Sequence, residues 1–141
     1  MFNYPAVFKR EGNGYVIRVP DLPEVVTEGN SIDEATEFAA DAIEGVLAEY
    51  VSRKRDIPAP RPAKRGMRVI RLPLLTQAKL SLYMALRKMG IRKADLARRM
   101  GVSKAQVERM LDLDHASRLD QIESAFKALD KQLSLDIQDA A

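Results

Sequence analysis

Acidic side chains are the first residues of this chain whose spacing could support chemistry. Metal-dependent hydrolysis needs several carboxylates that converge from strands and a helix. The two N-terminal segments that read as strands offer no acid between Phe2 and Arg10, and only Arg18 as a charge within 15–19. The acids between residues 20 and 45 lie in turns, at strand ends or along one helical face: Asp21, Glu24, Glu28, Asp33, Glu34, Glu37, Asp41 and Glu44. This spacing is typical of a solvated surface, so we predict no metal site.

Other catalytic groups are scarce. The chain has no cysteine and one histidine, which excludes disulfides, thiol nucleophiles and His-rich metal sites. His115 follows a helical segment in "DLDHAS" without a Ser or Cys partner pattern, and this favours a loop hydrogen bond over catalysis. We therefore predict a non-enzymatic protein with no catalytic residue and no cofactor. A metal-dependent nuclease remains the enzymatic alternative.

Nothing in the sequence predicts a membrane protein. No apolar run approaches ~18 residues, the length of a spanning helix, and the N-terminus lacks the layout of a signal peptide. The expected location is the cytoplasm.

Charge divides the chain into three blocks. Residues 1–60 carry 6 Lys/Arg against 11 Asp/Glu, residues 61–111 carry 14 against 2, and residues 112–141 carry 3 against 7. A basic block of this density favours a polyanionic partner through counterion release. The acidic first block favours a different, basic partner. Solvated faces without partners are the alternative for both blocks.

Within the basic block, "IRKADLARRMGVSKAQVERML" (91–111) has the spacing of a helix-turn-helix. Ala97 is the small residue where two helices cross, and Gly101 permits the left-handed turn. Val102 supplies the apolar plug, and Val107 is the buried β-branched residue of the second helix. A helical hairpin with a solvated basic face is the alternative reading.

The same segment gives the candidate DNA contacts. We expect Lys104 and Arg109 to reach base edges, because Lys and Arg suit guanine acceptors in the major groove. Gln106 would contact a base or a phosphate, and Ser103 caps the helix at the same interface. Lys93 opens the preceding helix, where its side chain and a backbone N–H would hold a phosphate. Glu108 is expected to orient a neighbouring basic side chain or to face solvent.

The elements ahead of this segment predict a β-β-β-α-β module at residues 1–72, including a Pro-rich connector at 56–66. Alternating apolar residues indicate two strands joined at Asn13-Gly14, whose types suit positive φ angles. A third strand "VVT" follows, then a helix from a Ser31–Glu34 capping box to about Arg53. "MRVIRL" indicates the fourth strand. Five aromatic residues are expected in the core: Phe2, Tyr4, Phe8, Phe38 and Tyr50.

Residues 73–141 predict an all-α helix-turn-helix module, which makes the chain α+β. Its first helix runs from Pro73 to Gly90, with Met89 on the buried stripe, and its last helix turns Leu119 inward. The tail "QLSLDI" alternates like a short strand. Because the module has no partner for it, we expect this strand to pair across a homodimer or higher oligomer.

These motifs combine into a recognisable order. "VPDLPEVVTEGNSIDEATEFAADAIEGVLAEYV" resembles the N-terminal domain of HicB-family antitoxins, and "RKRDIPAPRP" is similar to the family's segment after that helix. The C-terminal module resembles the Xre/Cro-type helix-turn-helix of one branch, including its closing "HASRLDQIESAFKALDKQLSL". Glu24 departs from the pattern, since many members have glycine there.

The resemblance implies a partial RNase H-like N-terminal domain without nuclease activity. It implies that this domain binds the HicA toxin, an mRNA-cleaving ribonuclease, while the C-terminal domain binds operator DNA as a dimer or higher assembly. An acidic domain suits such a partner, because a surface that attracts RNA is basic. The candidate toxin contacts are Asp21, Glu24 and Glu28, with Tyr15 as an aromatic anchor. A transcription regulator whose N-terminal module senses a small ligand or an unrelated protein is the alternative.

Overall fold

The computed structural model describes residues 2–140 and contains a four-stranded sheet followed by helices. The sheet order is β3-β2-β1-β4 with every neighbouring pair antiparallel. Its strands are β1 (Tyr4–Glu11), β2 (Gly14–Arg18), β3 (Val26–Gly29) and β4 (Arg68–Ile70). The predicted β-β-β-α-β order is thus present, and the chain is a mixed α+β fold.

The β1–β2 hairpin turns one residue earlier than predicted. Glu11 pairs with Gly14, so the two-residue loop is Gly12-Asn13, and the positive φ of 58° belongs to Gly12. The prediction of positive φ at Asn13-Gly14 is wrong. Gly14 is needed for another reason, because a Cβ there would lie 2.6 Å from the Gly29 carbonyl oxygen of the neighbouring strand.

Helix α1 (Ile32–Ser52) packs on the sheet behind the predicted cap, where Ser31 Oγ accepts the Glu34 N–H at 3.1 Å. The approach is close, because a Cβ on Gly29 would lie 2.7 Å from Ala35 Cα. The narrow buried stripe is Ala35, Ala39, Ile43, Leu47 and Tyr50. Phe38 lies off this stripe and is 44% exposed, so its predicted place in the core is wrong.

Four helices follow β4: α2 (Leu74–Met89), α3 (Lys93–Met100), α4 (Lys104–Leu111) and α5 (Leu119–Ala128). Leu80, Leu82, Leu96, Val107 and Ile122 are fully buried among them. Met89 and Leu119 are 42% and 45% exposed, which contradicts their predicted inward positions. Met89 is the last residue of α2 and Leu119 is the first residue of α5, so each lies at a helix end where less of the neighbouring structure covers it.

The predicted connector is anchored along its length. Ile57 is buried, the Tyr4 hydroxyl donates to the Pro58 carbonyl at 2.7 Å, and the Arg61 N–H donates to Asp21 at 3.0 Å. Helix α2 also contacts the sheet layer directly, since Gln77 Oε1 accepts the Phe2 N–H at 3.4 Å. The first half of the connector is therefore held against the N-terminal part of the chain, and α2 has its own contact with that part.

The C-terminal tail differs from its prediction. Residues 131–140 form no strand in the described part of the chain, and Leu135 and Ile137 are 67% and 86% exposed. The prediction of a strand is wrong for the single chain, because a strand requires a partner that this chain does not supply.

Residues 2–140 lack two kinds of feature. None of their helices has both the length and the apolar character needed to cross a membrane. They also bring together no group of three or more His, Cys, Asp or Glu side chains suited to a metal ion.

Candidate functional site

The turn between α3 and α4 has the geometry of a helix-turn-helix. Gly101 adopts a left-handed φ of 69° at the end of α3, and the Val102 N–H closes the turn on the Ala97 carbonyl at 3.0 Å. Val107 is fully buried and Ala97 is nearly so, which locks the helices against each other. Each residue has the role that its type and spacing predict.

The start of α4 is fixed by a reciprocal capping box. Ser103 Oγ accepts the Gln106 N–H at 3.2 Å, and Gln106 Oε1 accepts the Ser103 N–H at 3.1 Å. The structure therefore uses the Gln106 carbonyl oxygen within the protein and leaves its amide nitrogen for a ligand. Both residues lie beside Lys104, at the N-terminal end of α4.

The two candidate base contacts, Lys104 and Arg109, have exposed side chains on α4 and are separated by about 1.4 helical turns. Glu108 Oε1 lies 4.0 Å from Lys104 Nζ, which agrees with its expected role of orienting a basic neighbour. Within the described chain, the Arg109 guanidinium has no ion pair or side-chain hydrogen bond. It is thus available to an external acceptor.

The N-terminus of α3 is held by an acidic residue. Asp95 accepts the backbone N–H of Arg92 at 3.2 Å and pairs with the Arg92 and Arg98 guanidinium groups. The hydrogen bond from the Arg92 N–H, followed by the pairing with these cations, lowers the Asp95 pKa below its ordinary range. Lys93 stands beside this cap with an exposed side chain, in the position where a phosphate contact was predicted.

The other end of α4 is held by a residue that the sequence prediction missed. Lys79 of α2 is 1% exposed, and its ammonium donates to the carbonyl oxygens of Arg109, Asp112 and His115 at 3.1, 2.6 and 2.6 Å. Ser117 Oγ donates to the same Arg109 carbonyl at 3.2 Å. Burial lowers the Lys79 pKa from its ordinary value. A cation at the C-terminal end of a helix is also favoured by the helix dipole.

A sequence signal for Lys79 was present. It falls four residues after Leu75 and four before Tyr83, in the middle of an apolar stripe. A charged residue at that phase predicts a buried charge that needs acceptors. Its carbonyl partners lie in the last turn of α4 and in the α4–α5 connection, however, and no local sequence pattern predicts them.

The four predicted toxin contacts separate into two groups at opposite ends of the β2–β3 hairpin. Tyr15 pairs with Gly29 at one end, and Arg18 pairs with Val26 at the other, beyond which Asp21 and Glu24 lie. Tyr15 and Glu28 line one cleft together with Glu11, Glu34 and Phe38. An exposed aromatic ring and several carboxylates therefore share a surface, here called the acidic patch: Glu11, Tyr15, Glu28, Glu34 and Phe38.

The other two candidates are paired with residues of the same chain, although the Glu24 side chain is 45% exposed. The Asp21 side chain is 7% exposed and pairs with Arg61 of the connector. Glu24 accepts the Tyr50 hydroxyl at 2.6 Å, and this hydrogen bond lowers the Glu24 pKa and raises that of Tyr50. Arg55 stacks on the Tyr50 ring at 3.9 Å from its centroid. Glu24 thus has its partners at the end of α1, and Asp21 has its partner in the connector.

Comparison with known families identifies both parts of the chain. A family model described as "HicB_like antitoxin of bacterial toxin-antitoxin system" matches residues 3–81. A model described as "Cro/C1-type HTH DNA-binding domain" matches residues 79–134. The first match spans the sheet, α1 and the first half of α2, and the second spans the rest of α2 and the helices after it.

Individual relatives agree with these models. The chain is 35% identical over 141 residues to antitoxin HicB of Pseudomonas fluorescens (strain Pf0-1), covering 99% of this chain and 97% of the relative. It is 36% identical over 122 residues to antitoxin HicB of Escherichia coli (strain K12), covering 86% and 88%. A crystal structure of the Burkholderia pseudomallei antitoxin HicB matches at 19% identity with a TM-score of 0.44, covering 72% of this chain and 94% of that one.

Proposed function

The chain belongs to the HicB antitoxin family, and from that premise we propose that it neutralises a toxin and represses its own operon. Its N-terminal part would bind a HicA-type mRNA-cleaving toxin, and its helix-turn-helix would bind operator DNA. The observation that carries the proposal is the joining of a HicB-like part and a Cro/C1-type helix-turn-helix part in one chain. The proposed domains are residues 1–72 and 73–141, and the proposed location is the cytoplasm.

The DNA-binding half rests on the exposed face of α4. Lys104 and Arg109 would donate to base edges in the major groove, where such side chains distinguish guanine from other bases. Lys93 would hold a phosphate at the N-terminus of α3, and Gln106 would offer its amide nitrogen. Ser103 fixes the helix end that presents them.

The toxin-binding half rests on the acidic patch. Phe38 is 44% exposed among carboxylates, the arrangement that suits an aromatic anchor inside a basic partner surface. Tyr15 and Glu28 belong to this patch, whereas Asp21 and Glu24 would act indirectly by fixing the end of α1 and the connector. We propose that this N-terminal part is a partial RNase H-like fold that acts by binding and not by catalysis.

Self-association is part of the same proposal. Leu74, Leu119, Leu133 and Leu135 line one apolar cleft beside the extended tail. A second copy of this tail is the proposed occupant, since Leu135 and Ile137 remain exposed and the segment alternates like a strand. Operator binding by a dimer would then follow from two helix-turn-helix units.

One experiment tests the proposal directly. The chain is co-expressed with the small protein encoded beside its own gene, and growth, co-purification and binding to the upstream DNA are measured. Restored growth, a stable complex and a specific DNA shift are expected. If the neighbouring product is harmless, or if the two proteins do not co-purify, the antitoxin function is refuted. A regulator that senses a small ligand would bind the DNA without such a partner.

A further inference from the structure

Lys54 has a backbone conformation that usually belongs to glycine. It follows the end of α1 with a φ of 56°, in the left-handed region. Its N–H donates to the Val51 carbonyl at 3.1 Å, and the Arg55 N–H donates to the Tyr50 carbonyl at 2.9 Å. These two bonds form a Schellman motif, whose left-handed position is most often glycine. Because lysine is strained in this conformation, a function of its side chain would explain why glycine does not occupy the position.

The Lys54 side chain lines a cleft of about 750 Å³ between the end of α1 and the helix-turn-helix. Six basic residues line this basic cleft against one acid, Glu108; they are Lys54, Arg87, Arg92, Lys93, Arg98 and Lys104. An adjoining cleft shares Lys54, Lys93 and Glu108. The positive surface of the helix-turn-helix therefore continues to the end of α1.

Two contacts hold Lys54 in place relative to the helix-turn-helix. The Tyr83 hydroxyl donates to the Arg55 carbonyl at 2.7 Å, and the Arg87 guanidinium donates to Asp56 at 2.8 Å. Both donors lie on α2, which packs against α4 and α5. The position of Lys54 beside α3 is thus set by its two immediate successors in the chain.

Pairing within the basic cleft leaves particular cations available. Asp56 pairs with Arg87, and Asp95 pairs with Arg92 and Arg98. Within residues 2–140, the ammonium groups of Lys54 and Lys93 have neither an ion pair nor a side-chain hydrogen bond. Lys93 and Lys104 stand at the N-terminal ends of α3 and α4, on the side proposed to face DNA.

We propose that Lys54 contacts a backbone phosphate of the bound duplex, so that the DNA interface extends onto the toxin-binding part of the chain. This inference rests on the proposed DNA-binding function. A strand that passes the N-terminus of α3 at Lys93 reaches Lys54 across the same cleft. The contact is to phosphate and carries no base preference, because a lysine ammonium on the sugar-phosphate backbone meets the same oxygens in every sequence.

Lys54→Gly in the full-length chain tests the proposal. Glycine removes the charge and suits the left-handed backbone, so the variant is expected to fold at least as well as the wild type. Affinities are measured for a duplex from upstream of its own gene and for an unrelated duplex, over a series of salt concentrations. Loss of one phosphate contact predicts about fivefold weaker binding to both duplexes near 0.15 M salt, and a salt slope smaller by about 0.9.

Asp130→Gly is the matched control. Asp130 has a φ of 57° in the same motif at the end of α5, where its N–H and that of Lys131 donate to the Lys127 and Phe126 carbonyls. This variant relieves the same backbone strain and removes one charge that lies outside the cleft. The salt dependence of its DNA binding is expected to equal that of the wild type. Lys54→Arg should retain binding.

The outcomes separate the two levels of inference. Lys54→Gly with wild-type affinity and slope overturns the phosphate contact while leaving the helix-turn-helix function standing. Weakened binding to the upstream duplex alone also overturns it, since a phosphate contact acts on every sequence. A wild-type chain that binds neither duplex refutes the DNA-binding function, and the Lys54 contact with it.

Discussion

The ammonium nitrogen of Lys79 lies 3.1 Å from the carbonyl oxygen of Arg109, so a buried cation of α2 holds the backbone of a proposed base-contacting residue. Lys79 is only 1% exposed to solvent. Its ammonium also donates to the Asp112 and His115 carbonyls, which fixes the segment that follows α4. Helix α2 in turn contacts the N-terminal part of the chain, through Gln77 at Phe2 and through Tyr83 at Arg55. The orientation of α4 is thus tied to both parts of the chain through one helix.

Lys79→Met is expected to lower the free energy of unfolding by about 2 kcal/mol, because three carbonyls lose a charged donor. Urea denaturation measures this change. Specific operator affinity should fall more than non-specific affinity, since Arg109 loses its fixed position. Lys88→Met, an exposed change on the same helix, is the control. Equal stability of Lys79→Met and the wild type would contradict the role assigned to these hydrogen bonds.

Lys104→Ala and Arg109→Ala are each expected to weaken specific operator binding by roughly 1–3 kcal/mol and to leave toxin binding intact.

Lys93→Ala should weaken binding to all sequences and reduce the salt slope by about 1, as expected for a phosphate contact. Gel-shift titrations with operator and unrelated duplexes measure both effects. Lys127→Ala, on α5, serves as the control. Unchanged operator affinity in the α4 variants would show that other residues contact the bases.

Phe38→Ala is expected to weaken toxin binding by about 2 kcal/mol, the usual cost of removing an aromatic anchor. Its effect on unfolding should remain under about 1 kcal/mol, because the ring is 44% exposed and leaves no core cavity. Calorimetric titration with the toxin and thermal unfolding measure the two effects. Val7→Ala, an exposed position on β1, is the control. If Phe38→Ala lowered the free energy of unfolding as much as a core substitution does, Phe38 would have to be a core residue.

Tyr50→Phe is expected to raise the Glu24 pKa towards its ordinary value of 4.5, since the Tyr50 hydroxyl is the main cause that lowers it. A carboxyl group with a lowered folded pKa stabilises the fold above its unfolded pKa, and this contribution disappears as the pH falls through the folded pKa. The stability difference between wild type and variant should therefore shrink as the pH falls below about 4.5.

Carboxyl-detected NMR titration and unfolding at several pH values measure this behaviour. Tyr83→Phe is the control, because its hydroxyl donates to a backbone carbonyl and not to a carboxylate. A Glu24 pKa that does not change in Tyr50→Phe would show that another group sets it.

Leu135→Asp combined with Ile137→Asp is expected to abolish self-association without changing the fold of the single chain. Both side chains are largely exposed, so their replacement removes few contacts within the chain. Light scattering measures the assembly mass. Ser134→Asp combined with Gln138→Asp adds the same charge and keeps the apolar residues. Equal masses for the two double variants would show that these apolar side chains do not form the interface.

Local patterns accounted for the helix-turn-helix in detail. Gly101, Ser103, Gln106 and Val107 interact within about ten residues of one another, so chain geometry alone brings them together. The hairpin prediction was less accurate, because Gly12 and Gly14 are both plausible turn residues. The strand register places Gly12-Asn13 in the loop, whereas Gly14 lies in β2, where the Gly29 carbonyl leaves no room for a side chain.

Periodicity was insufficient where helix faces meet other layers. Phe38 and Met89 are apolar and lie next to buried stripes, yet both are exposed. The width of a covered stripe depends on what packs against it, and small residues such as Ala35 bring α1 so close to the sheet that only a narrow stripe is covered.

The sequence by itself determined the order of elements, the caps, the charge division and the helix-turn-helix, because each arises from residues near one another in the chain. Only the tertiary structure decided that Asp21 and Glu24 have internal partners, that Phe38 joins Tyr15 and Glu28 on one surface, and that Lys79 holds α4. The tertiary structure also brought Lys54 and Lys93 into one cleft, although the two residues are 39 positions apart in the sequence. These relationships join residues distant in sequence, and their geometry follows from the packing of α1 and α2 against the rest of the protein.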